Sequence, residues 1–283
     1  MSLETQIAAL VTAANNLTSA VNGKMTEIDA AVDAAVKAIP NMSKDYFVDA
    51  VSGVDTALGT SAAPLKTIGE AMSRTATTPY AVIYLMAGQT HEYSGPSNTL
   101  PYRLVSNKLT FVKYGSGNDP VFAPKVGNYF SSYSNLHFFV MEGGTVLFKN
   151  VKLVMPNTLL DGTTAWGNQG FGAGLFHRAH GTNNSLQGSV TFASCTIQLG
   201  AVDVFYSGYA GNFRCDLTYC TIDAALTSKF AKLDGATLTL AVFATTVSNS
   251  KTWGNLISGV VKAANGSVTN VVSNVGDVIA GAA

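Results

Sequence analysis

Five stretches after residue 108 repeat one pattern of apolar and polar residues. Val146-x-Phe148-x-x-Val151-x-Leu153, Val190-x-Phe192-x-x-Cys195-x-Ile197, Cys215-x-Leu217-x-x-Cys220-x-Ile222 and Leu238-x-Leu240-x-x-Phe243-x-Thr245 share the template, and Leu109-x-Phe111-x-x-Tyr114 matches its first part. Apolar residues two apart belong to a strand with one buried face, and the two-residue break marks a corner before a second such strand. Starts at 109, 146, 190, 215 and 238 are separated by 37, 44, 25 and 23 residues, a period that fits a solenoid whose early coils carry insertions. Stacked coils place like positions about 4.8 Å apart. Cys195 then neighbours Cys220 and Cys215 neighbours Val190 inside, while Thr196 and Thr221 form an outward ladder.

The three cysteines are odd in number and lack CxxC spacing or a partnering His pair, so no zinc site is expected. They are expected to be free, buried core fillers, and a Cys195–Cys220 disulfide is the alternative that stacking permits.

A different period governs the first forty residues. Leu3, Ile7, Leu10, Ala14, Leu17, Val21, Met25, Ile28, Val32, Ala35 and Ile39 alternate in steps of three and four, apart from two consecutive fours around Val21 beside Gly23. This is a coiled-coil seam with one stutter, where the supercoil locally unwinds. Residues 1–39 are expected to form one helix ended by Pro40. An amphipathic helix folded against its own domain is the alternative, but the narrow stripe favours self-association.

Composition points the same way. With 17 basic and 17 acidic residues, only 12% charged and 47% apolar, the chain carries no field to steer it to nucleic acid or anionic lipid, and surface hidden between subunits is expected. No apolar run approaches the ~20 residues of a membrane span, and the first residues lack the basic start and cleavage site of a signal peptide, so neither membrane insertion nor signal-directed export is expected.

Between the two periodic regions lies YFVDAVSGVDTALGTSAAPLKTIGEA, residues 46–71. Tyr46–Val48 reads as a short strand, the Gly/Asp/Thr/Ser segment as a loop, and Leu65–Met72 as a short amphipathic helix. The stretch resembles the opening motif of right-handed parallel β-helix proteins of the pectate-lyase-like superfamily. That resemblance implies a [FY]-V-[DS] strand, a G-x-D-x-x-x-G-T loop and a P-x-K-T-I-x-x-A helix before the first coil. It also implies that Leu65 and Ile68 plug one end of the core.

The chain is thus expected to divide into an N-terminal coiled coil at 1–40, whose seam alone does not fix the number of strands, a mostly β, single-stranded parallel β-helix with an N-terminal capping helix at 41–255, right-handed as the resemblance implies, and a C-terminal cap or intersubunit β element at 256–283. The last segment has strand-like runs at 256–261 and 268–272 and fits the template poorly.

Chemistry is harder to locate. Glycosidases need two carboxylates facing one groove. Asp203, Asp216 and Asp223 are weak candidates, Asp216 and Asp223 being expected outward on different faces of one coil, and surface acids are the plainer reading. The long insertion at 161–188 gathers Trp166, Phe171, Phe176, His177, Arg178 and His180 on a Gly-rich loop, where aromatic faces beside polar donors suit a sugar ring and packing against a neighbouring subunit is the competing role. His177 and His180 would bind metal only with a third ligand from elsewhere. Tyr206 and Tyr209 beside Asp203 form a second, exposed aromatic cluster by expectation. No Walker-type loop, GxSxG elbow or HExxH helix occurs, and no cofactor is expected.

The order of coiled coil, proline, opening motif and solenoid resembles a bacteriophage tail spike or tail fibre subunit. The resemblance implies a virion component assembled in the host cytoplasm: a homotrimer attached to tail or baseplate proteins through its N-terminus and adhering to host surface polysaccharide. A depolymerase and a head, neck or baseplate decoration without receptor contact are the other readings.

Overall fold

The computed structural model describes residues 2–76, 78–94, 102–104, 107–128, 133–136, 139–157, 164–165, 174–177, 186–207, 211–224, 229–276 and 278. The chain divides into two units, residues 1–43 and 44–283.

The first unit is a single helix, α1 (Leu3–Met42), opened by Ser2, whose hydroxyl accepts from the Thr5 amide. It runs through Pro40 and ends at Met42, three residues past the expected end at residue 39. A proline in the last turn forfeits one backbone bond without ending the helix, and the break falls instead at Ser43, whose backbone is extended. Every described side chain of α1 from residue 2 to 35 is exposed, including the seam residues Leu10 at 70% and Leu17 at 67%.

The second unit takes in all but the first residue of strand β1 (Ser43–Val48), then a loop and helix α2 (Ile68–Thr75). The motif residues explain the loop. Asp55 accepts from the amides of Lys66 and Thr67 at 3.0 and 2.8 Å and from the Thr67 hydroxyl at 3.0 Å, and that hydroxyl in turn caps α2 by accepting from the Glu70 amide. Arg74 reaches back to donate to the carbonyls of Ala57 and Asp55 at 2.7 and 2.6 Å. Gly53 is obligatory because a Cβ there would sit 2.1 Å from the Leu65 carbonyl oxygen. Leu65 is not helical: it pairs with Val48 in a parallel bridge, and the helix starts at Ile68 after the Thr67 cap. Leu65, Ile68 and Met72 are all fully buried at the end of the apolar core.

From Tyr80 the chain visits three faces in fixed order. The first carries Tyr80–Met86, Lys108–Tyr114, the second half of Phe139–Lys149, Leu186–Ala193, Gly211–Thr218, Ala236–Phe243 and Val271–Ser273. The second carries Thr90–Tyr93, Val121–Pro124, Lys152–Val154, Thr196–Gln198, Thr221–Asp223 and Thr246–Val247. The third carries Tyr102–Leu104, the start of Phe139–Lys149, Gly174–His177, Asp203–Ser207, Ala231–Leu233 and Ile257–Ser258. Every pairing within a face is parallel, as strands one coil apart must be. A small separate sheet joins Val126–Asn128, Tyr133–Leu136 and Thr164–Ala165.

Alternation puts every second residue inside, and equivalent positions stack. Phe111, Phe148 and Phe192 form one column with ring centroids 5.0 and 5.3 Å apart. Phe139, Phe176 and Phe205 form another at 5.3 and 5.1 Å. The separations match the spacing between coils, so parallel rings fall into contact without adjustment. The last coils continue the columns with aliphatic residues: Leu217 and Val242 on one face, Ala231 and Ile257 on another.

The corner between the first two faces is set by one residue per coil with positive φ: Asn150 at 53°, Ser194 at 53°, Tyr219 at 54° and Ala244 at 46°. The first three each donate their amide to a carbonyl of the following coil, on Ala193, Thr218 and Phe243. Just beyond the corner Cys195 and Cys220 turn inward, while Cys215 points inward from the first face. Val190 pairs with Cys215 and Thr196 with Thr221. All three thiols are free and buried, and Cys195 and Cys220 donate to the carbonyls of Phe148 and Phe192 at 3.4 and 3.3 Å. Burial raises the Cys215 thiol well above its ordinary value.

The last template copy is in a different register from the one its sequence suggests. Cys215 pairs with Leu240, not Leu238, and Leu217 with Val242, so the last template copy is Leu240-x-Val242-x-x-Thr245-x-Val247. Phe243, assigned to the interior, lies outside. A period-two pattern is unchanged by a shift of two residues, and Leu238 is as buried as Leu240. The segment expected as a cap also contributes to the faces, through Ile257–Ser258 and Val271–Ser273.

Candidate functional site

The third face gathers titratable side chains on its outer surface. Gly174–His177 is a strand of this face, not part of a loop, because Phe176 enters the aromatic column and fixes its neighbours in register. His177 therefore lies beside Tyr206, rings stacked at 5.3 Å and 12°. Both are buried, at 5% and 3% exposure, which corrects the expectation of an exposed cluster. One strand further on, Lys232 pairs in register with Tyr206 and holds its ammonium 5.3 Å from that ring's centre. Its charge is also met by Asp234 at 3.2 Å. The result is an imidazole, a phenol and an ammonium in succession, a cation–π ladder.

Asp203 opens the strand that carries Tyr206. Its carboxylate accepts from the Lys229 amide at 3.1 Å. Burial pushes its carboxyl up to about 6, against the opposing pull of that amide and of Lys232 and Lys229. A carboxyl in that range can give or take a proton near neutrality, the property of a general acid.

The other candidates are dispersed. Asp216 is on the first face, held by Arg214 through its Nε at 2.8 and 3.0 Å. Asp223 is on the second, accepting from the Ser248 hydroxyl at 3.3 Å. Trp166, Phe171, Arg178, His180 and Tyr209 lie outside the described residues. Among the described residues no group of three His, Cys, Asp or Glu side chains is placed to hold a metal ion, and no helix is long and apolar enough to cross a membrane.

The sequence template does not point to Lys229, Lys232 or Asp234. The repeat template covers only the first two faces, and the third-face strands lie in the stretches of unequal length between copies. Their signal was the short apolar run recurring between copies, Leu175-Phe176, Val204-Phe205 and Phe230-Ala231, whose alignment would have set Lys232 beside Tyr206. Comparison with protein-family models, curated proteins and solved structures finds no match to this chain.

Proposed function

We propose that the chain is a subunit of a homotrimeric fibre of a bacteriophage tail, a right-handed parallel β-helix borne on an N-terminal coiled coil, whose coils adhere to polysaccharide on the host surface. The observation that carries this reading is α1. A 40-residue helix whose seam lies exposed along its described length leaves about two apolar residues per heptad in water, and such a stripe is covered by the same stripe on like helices. Stacked coils supply a rigid shaft. The N-terminal end attaches to other tail or baseplate proteins, and the third face, with Asp203, Lys232 and Asp234 on it, is the adhesive surface.

Sedimentation equilibrium of the full chain tests the assembly, with a mass three times that of the chain expected and the mass of one chain overturning it. Adhesion is tested by passing the protein over immobilised bacterial capsule and O-antigen polysaccharides. Retention is expected, and retention on none of them overturns the adhesive role. Asp203 favours one alternative, depolymerisation, which is distinguished by release of oligosaccharides that Asp203→Asn abolishes.

A further inference from the structure

Cys195 and Cys220 hold the same place in two consecutive coils and face one interior. Their register is fixed on both sides, by Ala193 opposite Thr218 and Thr196 opposite Thr221, and the Thr221 amide donates to the Cys195 carbonyl at 2.9 Å. Equivalent residues of stacked coils lie about 4.8 Å apart, within the roughly 4.4–6.8 Å between α-carbons that a disulfide spans. The third thiol has no such partner, because Cys215 stands in register with Val190 and Leu240.

The pair also differs from an inert core thiol. Contact with the Cys195 thiol lowers the pKa of Cys220, and the same contact raises that of Cys195. Cys220 is therefore the readier thiolate, and Cys195 keeps the proton. Both lie one residue behind exposed corner residues, Ser194 and Tyr219, a short path for a molecule as small as hydrogen peroxide. We propose that Cys195 and Cys220 form a peroxide-oxidised site, closing into a disulfide that staples two consecutive coils at their corner. The Cys220 sulfur attacks one peroxide oxygen, the O–O bond breaks, and the Cys220 proton leaves on the first water as the sulfur becomes a sulfenic acid. The Cys195 sulfur then attacks it: the S–S bond forms, the S–O bond breaks, and the Cys195 proton leaves on the second water. Two thiols lose two electrons and the peroxide is reduced to two waters. The bond closes one whole coil, including the strand Asp203–Ser207, and lies within one chain, so it is independent of association.

The test exposes the full-length protein to hydrogen peroxide, removes the oxidant, unfolds the chain without reductant, and alkylates it for intact mass and peptide mapping. One alkylated thiol, Cys215, and a joined Cys195–Cys220 peptide are expected, with all three thiols recovered after dithiothreitol. In Cys195→Ala the reaction should stop at a Cys220 sulfenic acid that dimedone captures, and in Cys220→Ala the Cys195 thiol should survive. Three alkylated thiols after an exposure that consumes those of the unfolded chain, or a link through Cys215, overturn the site, and the parent chain alone decides this if a variant fails to fold. The oxidised parent should melt at higher temperature than the reduced one, since closing a loop constrains the unfolded chain; equal or lower melting overturns the staple.

Discussion

Helix α1 and the coils from Tyr80 onward each carry a regular apolar stripe, and only the coils bury it within the chain. In the coils, each strand's inward residues stack on those of the strands before and after, so that Phe148 has Phe111 on one side and Phe192 on the other. Repetition provides every coil with a partner of its own kind. Helix α1 is repetitive only along its own axis, and the described remainder of the chain contains no second long helix. Its stripe is consequently exposed, with Ile28 at 60% and Val32 at 54%. Self-stacking along one chain yields a self-sufficient body, while a stripe on a lone helix is left in water.

The largest expected effect separates the two regions. Leu17→Asp with Ile28→Asp places two charges per chain in the seam, each costing on the order of several kcal/mol if buried. Association should be lost at micromolar concentration, and the helical part of the circular dichroism should fall, because a single helix in water is marginal. The strand signal should persist. A double variant that keeps the mass of the parent shows that the seam is not the interface. The converse change is Phe148→Ala, which opens a gap between stacked rings and should cost the coils about 3–5 kcal/mol. Thermal melting should fall sharply while the sedimenting mass at low temperature stays that of the parent.

The same contrast accounts for what was legible in the sequence. Periodicity revealed α1 and the first two faces because both place apolar residues at fixed intervals. The opening motif was legible down to Leu65 and Ile68, since its loop depends on the chemistry of Asp55, Gly53 and Thr67 and leaves little freedom. The third face was obscured. Its strands are short and the segments between them and the template copies differ in length, so His177 read as a loop residue although Phe176 anchors it in a stack. Phe243 was misplaced for a different reason: alternation fixes which residues share a face but not which coil neighbour each one meets. The left-handed corner does fix it, and Asn150 was its only conspicuous marker; Ser194, Tyr219 and Ala244 gave no sign of positive φ.

The coils should also respond to pH. The Asp203 carboxyl, raised by burial to about 6 from an ordinary 3.8, is protonated more readily in the folded chain than in the unfolded one. Its contribution is therefore fully present below about 3.8 and is lost as pH rises through about 6. Asp203→Asn should stabilise the coils above that range, leave them unchanged below it, and flatten the intervening slope in chemical denaturation. A parent-like slope in the variant assigns the effect to another group.

The smallest effect lies at the corner itself and bears on how firmly it sets the register. Ala244 holds φ 46° with its side chain exposed, a conformation that an unbranched Cβ strains and an asparagine side chain relieves. Ala244→Asn should raise stability by a few tenths to about 1 kcal/mol. The gain should appear in slower unfolding of the coils, with α1 and the assembled mass unaffected. The corner amides of Asn150, Ser194 and Tyr219 each donate to the following coil, so a corner relieved of strain holds its neighbours in register more firmly. If Ala244→Asn proves neutral while Asn150→Ala is equally harmless, left-handed geometry follows from the stacking of the faces and does not direct it.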